Sequence, residues 1–278
     1  MFTSSNPVAR RSRPDSYQKG KCMKPFNALR KHLLHAAFLF AAVSGSSAVL
    51  AQSSYTVGAT STGVPFTFLD IKTNKLQGMM VDTVTAIGKN AGFTVNVQQT
   101  PFAALIPSLT SNKIDIIAAA MLKTAARAQI VDFSDPVYSY GEGLFVNAED
   151  KHVYKSLDDL KGEIVGAQVG TVFVDALNKK GGFKEVRVYD SIADMMRDVG
   201  LGRIKAGFGD RPIVAYQLSQ GANPQVRLVK EYQSTLMGDV CLVVRKGETQ
   251  LLERLNKAIA TAKADGTIAR IVQQWNLN

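Results

Sequence analysis

An α/β fold with largely parallel sheets is what this 278-residue sequence predicts, and three observations carry the expectation. Short apolar strands alternate with amphipathic helical stretches and turn signals along most of the chain. Residues 114–120 are almost continuously apolar apart from Asp115, the pattern of a parallel strand covered on both faces and lying mid-sheet. Capping residues and glycines mark helix starts and stops between such runs.

In chain order, Val81, Val84, Ile87 and Ala91 recur at three- or four-residue spacing before Gly92, a helix with a glycine stop. Behind the strand at 114–120 come Thr124 and then Arg127, inside an alanine-rich turn or short helix, and the aromatic-acidic stop Asp132-Phe133-Ser134-Asp135-Pro136. Gly170-Thr171 opens a helix running towards Asn178. Ser191, with Asp194 three residues on, is a capping-box-like start for the helix that holds Met195 and Met196. Residues 206–209 are strand-like, and Asp210 before Arg211-Pro212 reads as an N-cap with proline near the first turn. Thr249 precedes Leu252, Leu255, Ile259 and Ala262, a long amphipathic helix closed at Asp265-Gly266, and a final short helix runs to Trp275.

Residues 23–51 read as a secretory leader. Lys24, Arg30 and Lys31 supply a positive start, 33–43 an apolar run, and Val49-Leu50-Ala51 the small residues of a cleavage site before Gln52. The apolar run is too short for a stable membrane anchor. The formal charge of +10 is concentrated in residues 1–51, which carry eight Lys/Arg against one acid, Asp15; taking these away leaves 25 basic and 22 acidic residues, a net +3. That balance leaves no footprint for nucleic acid. Cys241 is the only cysteine after the leader, so packed cores rather than an internal disulfide must hold the fold. It sits in the apolar run 240–244 and reads as a buried small hydrophobe. His152 is likewise the only histidine there, which excludes a histidine-based triad or a multi-histidine metal site. No G-x-S-x-G, Walker loop or C-x-x-C occurs, and no cofactor or metal is expected.

The stretch KIDIIAAAMLKTAARAQIVDFSDPVY, residues 113–138, resembles the signature of the amino-acid-binding family of bacterial extracellular solute-binding proteins. Further elements stand in that family's order over nearly all of the chain after the leader. Val57-Gly58 with Pro65-Phe66 resembles the first strand and its binding loop, and Leu76-Gln77-Gly78 through Val81-Asp82 the start of the first helix. FAALIPSL at 102–109, LDDLKGEIVGAQVGT at 157–171 and GRIKAGFGD ending at Asp210 follow. The resemblance implies a two-lobe periplasmic-binding-protein fold (type II, Venus-flytrap) with a discontinuous first lobe. An N-terminal extension and signal peptide would occupy 1–51, lobe 1 residues 52–142, lobe 2 residues 143–237, and the return segment of lobe 1 residues 238–278. The crossings fall near residues 140–143, where Gly141 and Gly143 allow unusual backbone angles, and near Met237-Gly238-Asp239. The resemblance further implies a monomeric periplasmic receptor that delivers an amino acid or close analogue to the membrane permease of an ABC transporter. An enzyme on the same scaffold, dehydratase-like and acting on an amino-acid-like substrate, is the alternative; Glu142 and Lys123 are the spare ionisable groups that would support it.

By the same resemblance, Arg127 holds the ligand's α-carboxylate, a role suited to the rigid donor fork of a guanidinium; without the motif it would read as an ordinary solvated arginine. Asp210 accepts the α-ammonium, and capping its helix is compatible with that. Thr171 opens a helix whose free N–H groups would point at an anion, or merely caps it. Phe102 resembles an aromatic cleft wall and Phe66 lies beside the first-strand loop; each could equally be core. Gly63 stands where many members place a ring over the ligand side chain. Ala119, Ala120 and Leu122 stand where others carry Ser, Gly or Thr, so Ala120 and Leu122 can contribute only through their backbone. Lys123 is either compensating charge or a solvated surface group, Lys205 structural or exposed, and Trp275 a terminal packing anchor. With one ring missing at Gly63, a polar or small aliphatic ligand side chain is expected over a flat aromatic or strongly cationic one.

Overall fold

The computed structural model describes residues 53–277; the leader and its cleavage site lie outside them. β1 (Ser54–Ala59) leads into a small antiparallel flap of β2 (Thr62–Gly63), β3 (Thr67–Asp70) and β4 (Lys75–Gln77). α1 (Met79–Ala91) follows and is stopped by Gly92 at φ 78°, as glycine at a left-handed C-cap permits. Its buried face is Met79, Met80, Thr83, Val84, Ile87 and Gly88, so Thr83 faces the core while Val81 stays half-buried. After β5 (Thr94–Gln99) come a 3-10 turn (Phe102–Ala104), α2 (Leu105–Thr110) and β6 (Ile116–Ile117).

The apolar run at 114–120 thus yields a two-residue strand, though one in the middle of its sheet. Contact extends one residue each way, with the Asp115 N–H donating to the Thr56 carbonyl (2.7 Å) and the Ala118 N–H to the Gly58 carbonyl (3.0 Å). The chain then leaves the extended region at Ala120, whose φ is 53°. α3 (Ala125–Ala128) is a single turn capped by Thr124, whose hydroxyl accepts from the Arg127 N–H. β7 (Val131–Phe133) and β8 (Tyr138–Tyr140) follow.

The second half begins with β9 (Glu142–Asn147) and continues through a 3-10 turn (Leu157–Leu160), β10 (Ile164–Gln168), α4 (Val172–Lys180), β11 (Glu185–Tyr189) and α5 (Ile192–Gly200). The Ser191 hydroxyl accepts from the Asp194 N–H (3.1 Å), the start its sequence implies. β12 (Ala206–Asp210), α6 (Arg211–Ser219) and β13 (Val226–Leu228) complete the lobe. The chain then returns through β14 (Gly238–Val240), β15 (Val243–Arg245), α7 (Thr249–Ala264) and α8 (Thr267–Gln274).

Two five-stranded sheets result, ordered β5-β1-β6-β15-β7 and β11-β10-β12-β9-β13. They are mixed rather than largely parallel. β15 runs against β6 and β7, and β9 against β12 and β13. Both are the strands by which the chain enters a large sheet after passing through the β8–β14 ribbon. β8 and β14 pair only with each other, Tyr140 opposite Gly238 and Tyr138 opposite Val240, and belong to neither large sheet. Gly141 and Gly143 next to this ribbon do not have left-handed backbone angles. Their smallness is what the packing uses: a Cβ on Gly141 would lie 2.6 Å from Met237 Sδ, and one on Gly143 3.1 Å from Arg211 Cα.

Glu142 is not a spare ionisable group. Its side chain is buried, with Oε1 accepting from the Tyr232 hydroxyl (2.9 Å) and the Thr235 N–H and hydroxyl (2.7 and 2.8 Å), and Oε2 from the Leu236 N–H (2.9 Å). It pins the second crossing to the first. Cys241 is fully buried, and burial pushes its thiol up to about 11. Trp275 packs edge-on to Phe68 and donates to Asp82 (2.8 Å), so the last helix is anchored to α1. Lys205 pairs with Asp150 at 2.8 Å. No helix among the described residues is long and apolar enough to cross a membrane.

Candidate functional site

The ends of β1 and β12 face each other across the gap between the two sheets, where α/β architectures concentrate ligand sites. From the second sheet comes Asp210, the last residue of β12. It also occupies the N-cap position of α6, yet its side chain makes no capping bond there. Burial pushes its carboxyl up to about 6, against the pull of the nearby Tyr140 hydroxyl and the Arg127 charge. The Tyr140 hydroxyl itself donates to the Ala120 carbonyl (2.8 Å). Burial, then the Asp210 charge, holds that phenol well above its ordinary range.

Arg127 reaches across from the first sheet. Its Nη1 donates to the Leu122 carbonyl (2.7 Å) and its Nη2 to the Gly170 carbonyl (2.9 Å), one on each side of the gap. The guanidinium carbon stands 5.9 Å from the centre of the Phe102 ring, within cation–π range. Two of its five N–H groups are thereby used. Burial lowers its pKa, opposed by Tyr140, Asp210 and Asp175. Gly170, at φ 75°, is a close approach between the two halves: a Cβ there would lie 2.9 Å from Ala103 Cα.

Gly63, Phe66, Phe102, Ala120 and Asp210 line one cavity of about 20 Å³, room for about one water. Arg127 is not part of this lining but stands over Phe102, which is. Thr171 and the Leu122 side chain lie outside that lining. Thr171 is buried, and both its N–H (3.2 Å) and its hydroxyl (2.7 Å) donate to the Gln168 carbonyl, so neither points into the gap. The Leu122 side chain packs against Gly238 in the return ribbon, and only its carbonyl reaches the site, through Arg127. Lys123 is exposed.

Sequence reasoning passed over Thr60, Thr62, Thr67 and Gln168, which supply the remaining polar lining, and Ile192 and Ile213, which line the cavity from the second half of the chain. Thr60 directly follows the first strand and was the most findable of these; nothing local marks Gln168. A larger groove of about 640 Å³ lies behind the ribbon, between Tyr138, Met237 and α6. Arg211 is its one charged lining residue, and no carboxylate lines it, whereas Asp210 lines the smaller cavity.

Residues 55–278 match the family model described as bacterial extracellular solute-binding proteins, family 3. ABC transporter arginine-binding protein 1 of Escherichia coli (strain K12) is 32% identical over 251 residues, spanning 88% of this chain and 98% of the relative. A solved structure described as an ancestral arginine-binding protein bound to glutamine matches with a TM-score of 0.74 at 34% identity, over 82% of this chain and 99% of that one. The ancestral amino acid-binding protein AncCDT-1, described as a precursor of cyclohexadienyl dehydratase, matches with a TM-score of 0.72 at 29% identity, over 80% and 95% of the two chains. The chain belongs to family 3 of the bacterial extracellular solute-binding proteins.

Proposed function

We propose that this cleft binds a free amino acid or close analogue, and that the protein is the receptor component of an ABC importer. The observation that carries the reading is a pair of opposite charges from opposite sheets, Asp210 in the lining of an aromatic-walled cavity and Arg127 over the Phe102 ring of that wall. A zwitterion satisfies both: its carboxylate takes the remaining guanidinium N–H groups and its ammonium the buried carboxylate. The likeness to proteins described as binding arginine or glutamine supports the same ligand class.

A cavity of about 20 Å³ does not admit an amino acid, so the lobes part about the β8–β14 ribbon and close on the ligand. In this reading lobe 1 comprises 52–142 with the return segment 238–278, and lobe 2 comprises 143–237. Only ligand contacts made better in the closed form drive closure, and reversing a 1:99 equilibrium takes about 5.5 kcal/mol of differential binding. The closed monomer would then engage the permease from the periplasm, after cleavage of the leader before Gln52.

Calorimetric titration of the purified protein with free amino acids, their amides and their N-acetyl derivatives tests the reading. Free amino acids should bind and either blocked form should lose most of the affinity, because each leaves one buried charge unpaired. Equal binding of free and blocked forms would sink it. The AncCDT-1 likeness keeps a dehydratase-like enzyme as the second reading. Against it, Glu142 is fully hydrogen-bonded, Lys123 is exposed, and Asp210 is the one carboxylate lining the cavity. Product appearing by mass spectrometry during incubation with candidate substrates would favour the enzyme.

A further inference from the structure

Resting on the amino-acid reading above, we infer that the ligand's side chain is uncharged and hydrogen-bonding, a hydroxyl or carboxamide, recognised by the Thr60–Thr67 hydroxyl pair of lobe 1 and by Gln168 of lobe 2. Charge balance is the first argument. Asp210 is the only acid among the described residues lining the cleft, and the ligand's ammonium uses it. Asp175 acts on Arg127, but its own side chain is exposed on α4. A cationic side chain would therefore be buried without a counter-charge, and an anionic one would compete with the α-carboxylate for Arg127. This separates the chain from what its arginine-binding relative is named for.

Unspent hydrogen-bonding capacity is the second. Thr60 and Thr67 are both buried, and their hydroxyl oxygens lie 2.6 Å apart. One proton joins them, which leaves one O–H and several lone pairs facing the cleft. Across the gap, Gln168 is buried and its Nε2 donates to the Asp190 carbonyl (2.9 Å), which leaves a second N–H and Oε1 for a partner. An apolar side chain would strand these groups. Gly63 is the third argument: a Cβ there would lie 3.2 Å from Thr60 Oγ1, so any side chain at 63 would crowd the pair that glycine leaves accessible.

Isothermal titration with four classes of free amino acid tests the inference. Threonine should bind at least about tenfold tighter than valine, or glutamine than methionine, and the best of them about a hundredfold tighter than arginine, lysine or glutamate. Thr60→Val should bring the polar-to-apolar ratio close to one while binding persists, Thr60→Ser should restore it, and Thr60→Asp should raise arginine or lysine affinity at least about tenfold. Melting curves confirm that each variant is folded. Tightest binding of a charged amino acid, or equal binding of the isosteric pairs, overturns this inference and leaves the amino-acid reading standing. A ratio unchanged in Thr60→Val overturns the role given to the hydroxyl pair. No binding by any class would overturn the amino-acid reading and this inference together.

Discussion

Replacing Arg127 by alanine removes the guanidinium without disturbing the turn that carries it. The cap of α3 is a backbone contact, the Arg127 N–H to Thr124 Oγ1 at 3.2 Å, and alanine retains it with a better helix propensity. What disappears is the Nη1 bond to the Leu122 carbonyl (2.7 Å), the Nη2 bond to the Gly170 carbonyl (2.9 Å) and the cation over Phe102. In the complex, two charge-assisted bonds to the ligand carboxylate disappear as well. At about 1.5–3 kcal/mol each these amount to about 3–6 kcal/mol, a loss of roughly 10²- to 10⁴-fold in affinity. Arg127→Lys should fall between wild type and alanine, since a point charge does not reproduce the fork. A second readout is independent of ligand. Arg127 is one of the groups holding the Asp210 carboxyl down, so the Asp210 titration followed by NMR should move upward in Arg127→Ala. Titration calorimetry on protein shown folded by its melting curve decides the case; affinity within about threefold of wild type would refute the role assigned to Arg127.

Four further outcomes follow from the same geometry. The ligand's ammonium requires ionised Asp210, whose carboxyl sits at about 6 in the free protein; affinity should be flat above pH 7 and fall about tenfold per unit below 6, and a flat calorimetric profile from pH 5 to 8 would contradict this. Because that pKa is raised above its ordinary value of 3.8, the folded state holds the proton longer than the unfolded one. The ligand-free protein should lose stability as pH rises through that window, and Asp210→Asn should remove the slope. Gly170→Ala places a Cβ 2.9 Å from Ala103 Cα at a φ of 75°; closure should weaken and affinity drop by about tenfold or more, with a lowered melting temperature from the backbone strain, and unaltered binding would argue against Gly170 as a contact between lobes. Glu142→Ala strands two backbone N–H groups and the Tyr232 hydroxyl, at a cost of about 3 kcal/mol or more; an unchanged melting temperature would overturn its role as the pin between crossings.

The helices were legible because their signals are local. The spacing of Val84 and Ile87 before Gly92, the Ser191–Asp194 cap and the stripe from Leu252 to Ala262 each depend on neighbours within a turn or two, and the chain folds there as the pattern implies. Arg127 and Asp210 were legible as opposite charges delivered by strand-like runs, and both stand at the cleft. Where tertiary contacts decide, local pattern failed in particular ways. The seven-residue run at 114–120 became a two-residue strand because buried loop backbone is as apolar as strand. β9 and β15 run antiparallel as the strands by which the chain enters each large sheet from the ribbon. Glu142 looked free because its partners at Tyr232, Thr235 and Leu236 lie some 90 residues away. Both Thr171 donors go to the Gln168 carbonyl, a contact that no sequence pattern marks. By itself the sequence determined the family, the helix limits and the two charges that suit a zwitterion. Only the tertiary structure decided which polar groups share the cavity with them, since Thr60, Thr67 and Gln168 meet through sheet packing across two lobes, and no periodicity within one segment encodes a contact between segments.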